Sequence, residues 1–144
     1  MKARALRLLA RREHSRAELA RKLAPHAESS DALERLLDEL AQKKQLSDER
    51  YAEARAHQLS RKYGAARIVH DLRAKGVAEG VAESVAAEAR GAEIERVREI
   101  LRRKYREPAG TREERARRAR FLQSRGFSHE AIRRALALSS EGED

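Results

Sequence analysis

The chain has 144 residues, 40% of them apolar and only two of them proline, which is the length of one ordinary domain or a short array of helical units. It contains no cysteine, so disulfide frameworks and thiolate metal sites are excluded, and no apolar run nears the roughly 20 residues that a membrane-spanning helix requires. Its net charge of +9 calls for a polyanionic partner or a large acidic surface.

Leu6 and Leu9 begin the first amphipathic pattern. Ser15, with Glu18 three residues on, has the spacing of a capping box that opens a second helix through Leu19 and Leu23, which Pro25 stops. Ser30 or Asp31 then caps a helix carrying Leu33, Leu36, Leu37 and Leu40, the stripe of a buried helical face. Ser47 is the next cap, for a long helix with Tyr51, Ala52, Arg55 and Leu59 that should end at Gly64, where a positive φ costs little. A helix with Ile68, Val69 and Leu72 ends at Gly76, and a shorter one presents Val81 and Val85. Ile94, Val97 and Leu101 mark a seventh helix, broken at Pro108-Ala109-Gly110. Thr111 and Glu114 form a second capping-box match ahead of Ala119 and Leu122; Gly126 ends that helix, and Ser128 caps a ninth with Ile132 and Leu136.

One pattern recurs at the junctions: an apolar residue, a base in the last turn, a left-handed position and a small cap. The copies are Leu72-Arg73-Ala74-Lys75-Gly76-Val77-Ala78, Leu122-Gln123-Ser124-Arg125-Gly126-Phe127-Ser128 and Leu9-Ala10-Arg11-Arg12-Glu13-His14-Ser15, with a weaker one from Ala41 to Ser47. Several copies in one chain predict an all-α fold, an elongated array of three tandem three-helix repeats at 1–45, 46–90 and 91–140, followed by an acidic tail at 141–144.

Chemistry is mostly missing. The glycines form no phosphate-cradling loop, and His14, His26, His57, His70 and His129 lack metal-ligand spacing, so surface or turn positions are expected for them. No nucleophile or acid/base pair can be named, and the reading is of a protein with no catalytic residues, cofactor or metal. Charge is uneven: residues 1–24 carry 8 bases and 2 acids, 25–94 carry 11 and 13, and 95–134 carry 14 and 6. Basic candidates include Arg102, Arg103, Lys104 and Arg106, and then the run from Arg112 to Arg120, whose helix should turn Ala116, Ala119 and Leu122 inward. With only Tyr51, Tyr63, Tyr105, Phe121 and Phe127 as aromatics, any contact with single-stranded DNA should be secondary and rest on phosphates.

The stretch from Leu40 to Val77, containing LSDERYAEARAHQLSRKYGAARIVHDLRAKGV, closely resembles the central region of the RecX family. The opening ALRLLARREHSRAELARKL and the late FLQSRGFSHEAIRRAL are similar to the family's first and last repeats, so the resemblance covers nearly the whole chain. Gln45 stands where many relatives have Gly, and Ala65 where they often have Pro, so the turns before Ser47 and after Gly64 should differ locally. The absence of cysteine makes the cytoplasm the expected compartment, and the lack of an extra apolar stripe makes a monomer the expected state. The resemblance implies a regulator that lodges in the groove of a RecA filament on single-stranded DNA. There it would bridge RecA subunits, hinder ATP turnover, strand exchange and LexA-type co-protease activity, and favour disassembly.

The residues expected to contact the filament are Lys62, Arg67, Arg73 and Lys75 in the middle repeat and Arg115, Arg117, Arg118 and Arg120 in the last. The rival expectation is a DNA- or RNA-binding module acting without RecA, whose short helix after Ser128 offers His129, Arg133 and Arg134 to a groove. Neither reading involves a membrane.

Overall fold

The computed structural model describes residues 1–141, with side chains to residue 138, and these are all-helical. The helices are α1 (Lys2–Arg11), α2 (Arg16–Leu23), α3 (Ser30–Gln42), α4 (Asp48–Leu59), α5 (Ala65–Ala74), α6 (Glu79–Gly91), α7 (Glu93–Lys104), α8 (Arg112–Ser124) and α9 (His129–Glu141), with a short 3-10 turn at Ala24–His26. None is long and apolar enough to cross a membrane. The acidic tail expected at 141–144 lies outside the described residues, save for the backbone of Glu141.

The chain divides into two compact units, the first made of Met1–Arg55 and Asp71–Ala82, the second of Ala56–His70 and the described residues from Glu83 onward. α4, α5 and α6 therefore contribute to both.

In the first unit, the stripe Leu33, Leu36, Leu37 and Leu40 of α3 is buried with Ala5, Leu19, Leu23 and Leu46, and Leu6, Leu8 and Leu9 of α1 pack against it. Each fully buried leucine contributes about 1.5–3 kcal/mol. The cap of α3 is Ser29, whose hydroxyl accepts from the Ala32 N–H at 3.1 Å, and not Ser30 or Asp31, which lie inside the first turn. Ser15 caps α2 by accepting from the Glu18 N–H at 3.0 Å, while its own O–H donates to the Lys75 carbonyl at 2.7 Å. Only half of the expected capping box forms, because the Glu18 carboxylate is held by Arg12 at 2.7 and 3.0 Å.

The second unit is built on Val97, Ile100 and Leu101 of α7, Leu122 of α8, Phe127, and Ile132 and Ala135 of α9, with Ile94, Tyr105, Ala119 and Phe121 packed at the margin. A smaller cluster joins Ala65, Val69 and Ala86. α6 is neither short nor turned as expected: it runs from Glu79 to Gly91 and buries Ala82 and Ala86, leaving Val81 and Val85 half-exposed. Alanine wins there because its small side chain allows a close approach, a property invisible to apolar periodicity. Thr111 caps α8 by accepting from the Glu114 N–H at 3.1 Å, and the Glu114 carboxylate reaches back to the Gly110 N–H at 2.8 Å.

The junction pattern takes the same form at Gly76 and Gly126, with φ of +80° and +87°. In both, the next residue donates its N–H back to the leucine that opens the copy, Val77 to Leu72 at 3.0 Å and Phe127 to Leu122 at 3.3 Å. At the weaker copy the register is one residue earlier than the pattern puts it: Lys44, not Gln45, is left-handed at φ 61°, and the Gln45 N–H returns to the Leu40 carbonyl at 2.9 Å. The copy from Leu9 to Ser15 has no left-handed residue: the chain leaves α1 extended at Arg12, φ −166°.

Gly64 departs further from expectation, for α4 stops at Leu59 and Gly64 does not adopt a positive φ. Its missing side chain serves a close approach, since its N–H donates to the Arg125 carbonyl at 2.8 Å and a Cβ would lie 2.4 Å from the Gly126 oxygen. The turn before α5 thus lies backbone to backbone against the turn that ends α8.

Candidate functional site

The structure distributes the sequence-derived candidates unevenly. Arg73 and Lys75 belong to the first unit, where the Arg73 guanidinium grips Glu79 through Nε and Nη2 and holds that carboxyl below the usual carboxylate range. Lys75 is half-buried beside the junction that its carbonyl ties to Ser15. Lys62 and Arg67 are exposed in the second unit, on the turn after α4 and the first half of α5. On α8, Arg115, Arg117 and Arg120 face solvent, whereas Arg118 is half-buried with its guanidinium 3.9 Å from the Tyr105 ring centre. Ala116 and Ala119 are half-buried and Leu122 is fully buried, so α8 turns the expected face inward.

The backbone contact of Gly64 with Arg125 collects bases that are far apart in sequence. Arg61, Lys62, Arg103, Lys104 and Arg125 line an open groove floored by Ile100 and Phe121, and no carboxylate lines it. The Arg103 guanidinium also donates to the Arg61 carbonyl at 3.3 Å, which ties the end of α7 to the turn after α4. Among the described residues, the ion pairs of this unit engage Arg90, Arg96, Arg98 and Arg134 and leave the groove's cations to one another and to aromatic rings.

Those rings form a ladder. Arg67 and Arg125 lie 5.0 and 5.2 Å from the centre of the Tyr63 ring. Arg125 is also 5.1 Å from Phe121, which carries Lys104 on its face at 3.4 Å. Lys104 lies 5.8 Å from Tyr105, whose ring is covered in turn by Arg118. Cation and ring alternate without a break, and each ring is half-exposed. A second concavity beside Tyr105 is lined by Arg102, Arg106, Arg115 and Arg118 over Leu101, Pro108 and Leu136.

Of these residues, Arg61 and Arg125 carry no sequence signal that marks them as a surface. Arg125 reads in sequence as a helix C-terminal base, and only the return of the Gly64 turn gives it neighbours. Arg103 and Lys104 stand out as a basic run, but nothing local places them beside Phe121.

Among the described residues no group of His, Asp and Glu could hold a metal ion, and no buried side-chain polar atom lacks a hydrogen-bond partner. Two buried polar residues missed in the sequence are structural. Glu93, 4% exposed, accepts from the Ala65 N–H at 2.8 Å and the Ser128 N–H at 3.2 Å, so one carboxylate serves the N-terminal ends of α5 and α9. His14 is buried and not a surface residue, with Nδ1 3.0 Å from the Arg12 carbonyl and Nε2 3.0 Å from the Lys22 ammonium. A carbonyl only accepts and an ammonium only donates, so the imidazole is neutral with its proton on Nδ1. On α9, the rival candidates His129 and Arg134 are engaged locally, by Gln123 at 2.7 Å and Glu130 at 2.9 Å.

Models of the first, second and third three-helix domains of RecX match residues 2–40, 47–88 and 92–136. The regulatory protein RecX of Herbaspirillum seropedicae is 44% identical over 144 residues, covering all of this chain and 94% of the relative. That of Leptothrix cholodnii is 43% identical over 144 residues, covering all of this chain and 92% of the relative. Among solved structures, RecX from Lactobacillus salivarius superposes with a TM-score of 0.84 over 97% of this chain and 94% of that one. Its identity of 20% makes that a likeness of fold.

Proposed function

This chain belongs to the RecX family of regulatory proteins, and from that premise we propose that it binds the RecA filament assembled on single-stranded DNA and restrains it. Binding in the filament groove would span neighbouring RecA subunits and hinder ATP turnover, strand exchange and co-protease activity. The chain would act in the cytoplasm as a monomer, through helical repeats at 1–45, 46–90 and 91–140, by binding and without turnover of its own.

The observation that carries this reading is the carboxylate-free groove of Arg61, Lys62, Arg103, Lys104 and Arg125. Five cations held together without counter-charges repel one another, and a polyanionic surface relieves that repulsion. Within it we assign filament contact to Lys62, with Arg67 beside it and with Arg115, Arg117 and Arg120 on α8. Arg73, Lys75 and Arg118 stay with the proposed contact set, but each already has a structural task.

The experiment is DNA-dependent ATP hydrolysis by the cognate RecA, titrated with this protein. Inhibition below RecA stoichiometry is the expected result. Undiminished hydrolysis at excess protein would overturn the proposal, and sequence-selective binding to free duplex would favour a DNA-binding module that works without RecA.

A further inference from the structure

We propose that the cation–ring ladder of the second unit is a direct binding track for single-stranded nucleic acid, on which bases stack against Tyr63, Phe121 and Tyr105 and phosphates lie between the interleaved cations. The chain has five Tyr and Phe residues in 144, too few to suggest such a mode from composition. Three of the five nevertheless lie on this one ladder, contributed by the turn before α5, the end of α8 and the residue after α7.

All three rings are half-exposed, and two of them are anchored in the core. Phe121 and Tyr105 pack at the margin of the α7–α9 core, which fixes their orientation, while both stay half-exposed. Rings needed only for stability would be buried more completely, and rings of no consequence would not be covered by Lys104, Arg125 and Arg118. A nucleobase presents a larger polarisable plane to such a ring than an ammonium or guanidinium does, and every base has one. When a base takes the ring, the displaced cation is already within reach of the adjoining phosphate. The ligand class follows from needing both features at once. An acidic polypeptide satisfies the cations and leaves the rings unused, and a duplex keeps its bases stacked on one another.

The proposal goes beyond the filament reading and is tested without any recombinase, so its failure would leave that reading to be judged on ATP hydrolysis. A fluorescein-labelled oligothymidylate is titrated with the full chain at several salt concentrations and followed by anisotropy. Phe121→Leu keeps an apolar contact with the core and removes the aromatic face; it should weaken binding about tenfold with the salt dependence unchanged. Tyr63→Leu, on the turn before α5, should act in the same way and covers the case in which Phe121→Leu fails to fold. Arg125→Gln and Lys104→Gln should instead flatten the salt dependence, by about 0.7 in the logarithmic slope for each phosphate no longer neutralised.

With no Trp and three Tyr in the chain, tyrosine fluorescence should fall on binding, and less so in Tyr63→Leu. Oligouridylate is run in parallel: binding of either strand supports the track, and the preference identifies the sugar. Unchanged affinity in folded Phe121→Leu and Tyr63→Leu, or equal competition by polyglutamate or by duplex, would overturn the proposal.

Discussion

The Gly64 N–H donates to the Arg125 carbonyl at 2.8 Å, so the turn that begins α5 rests directly on the turn that ends α8. A side chain at residue 64 would strike backbone atoms, with the Gly126 oxygen, the Gly126 carbonyl carbon and the Phe127 Cα at 2.4, 2.6 and 2.6 Å from a Cβ. Gly64→Ala should therefore destabilise the protein by about 1–3 kcal/mol or more, since backbone cannot step aside as a flexible side chain can. The matched control is Gly80→Ala in α6, where a Cβ meets nothing within 4 Å and helix propensity favours alanine by up to about 1 kcal/mol. Urea denaturation of the two variants should give opposite signs.

Glu93→Ala should cost about 2–4 kcal/mol, because it leaves the N–H groups of Ala65 and Ser128 without the buried carboxylate that accepts from both. Glu93→Gln retains one acceptor oxygen and should cost less. Equal midpoints for the two variants in urea would show that the bond which Gln retains contributes nothing.

Burial, the chief cause, holds the His14 pKa below its usual value, and the neighbouring Arg12 and Lys22 charges act in the same direction against the Arg12 carbonyl. The folded state thus resists protonation that the unfolded chain accepts near pH 6.5. Stability contributed by neutral His14 is complete above that pH and is lost as pH falls from there through the lowered folded value. His14→Gln removes this titration. Between pH 7 and pH 5 its thermal midpoint should decline less steeply than that of the parent, and parallel curves would refute the assignment.

Replacing Arg115, Arg117 and Arg120 together with alanine should weaken binding to the RecA–DNA filament and reduce its salt dependence, with little change in stability, because all three side chains face solvent. Arg118 is left in place because it packs on Tyr105. Filament affinity at two salt concentrations, set beside a thermal melt, separates a contact role from a folding defect.

Much of this molecule is legible in its sequence, and the reason is local. Helix signals act over three to seven residues: the Leu33–Leu40 stripe, the capping hydroxyls of Ser15 and Thr111 and the glycines at 76 and 126 each specify their own turn or face, and each of these forms. Resemblance at LSDERYAEARA and its flanks leads to the family for the same reason, since a repeat's junctions are short and recur. What tertiary structure alone decides is which distant segments meet. Gly64 reads as a helix stop until Gly126 is seen to lie against it. Val81 and Val85 look like the buried face of α6 until the fold calls for Ala82 and Ala86, whose smaller side chains admit a closer neighbour. Glu93 looks like a surface residue until the backbone donors of Ala65 and Ser128 arrive from elsewhere to satisfy it, and His14 until packing buries it between the Arg12 carbonyl and Lys22. Tyr63, Tyr105 and Phe121 become one surface by the same route: periodicity records which way a side chain points from its own helix, and what it will face there depends on chain closure over dozens of residues.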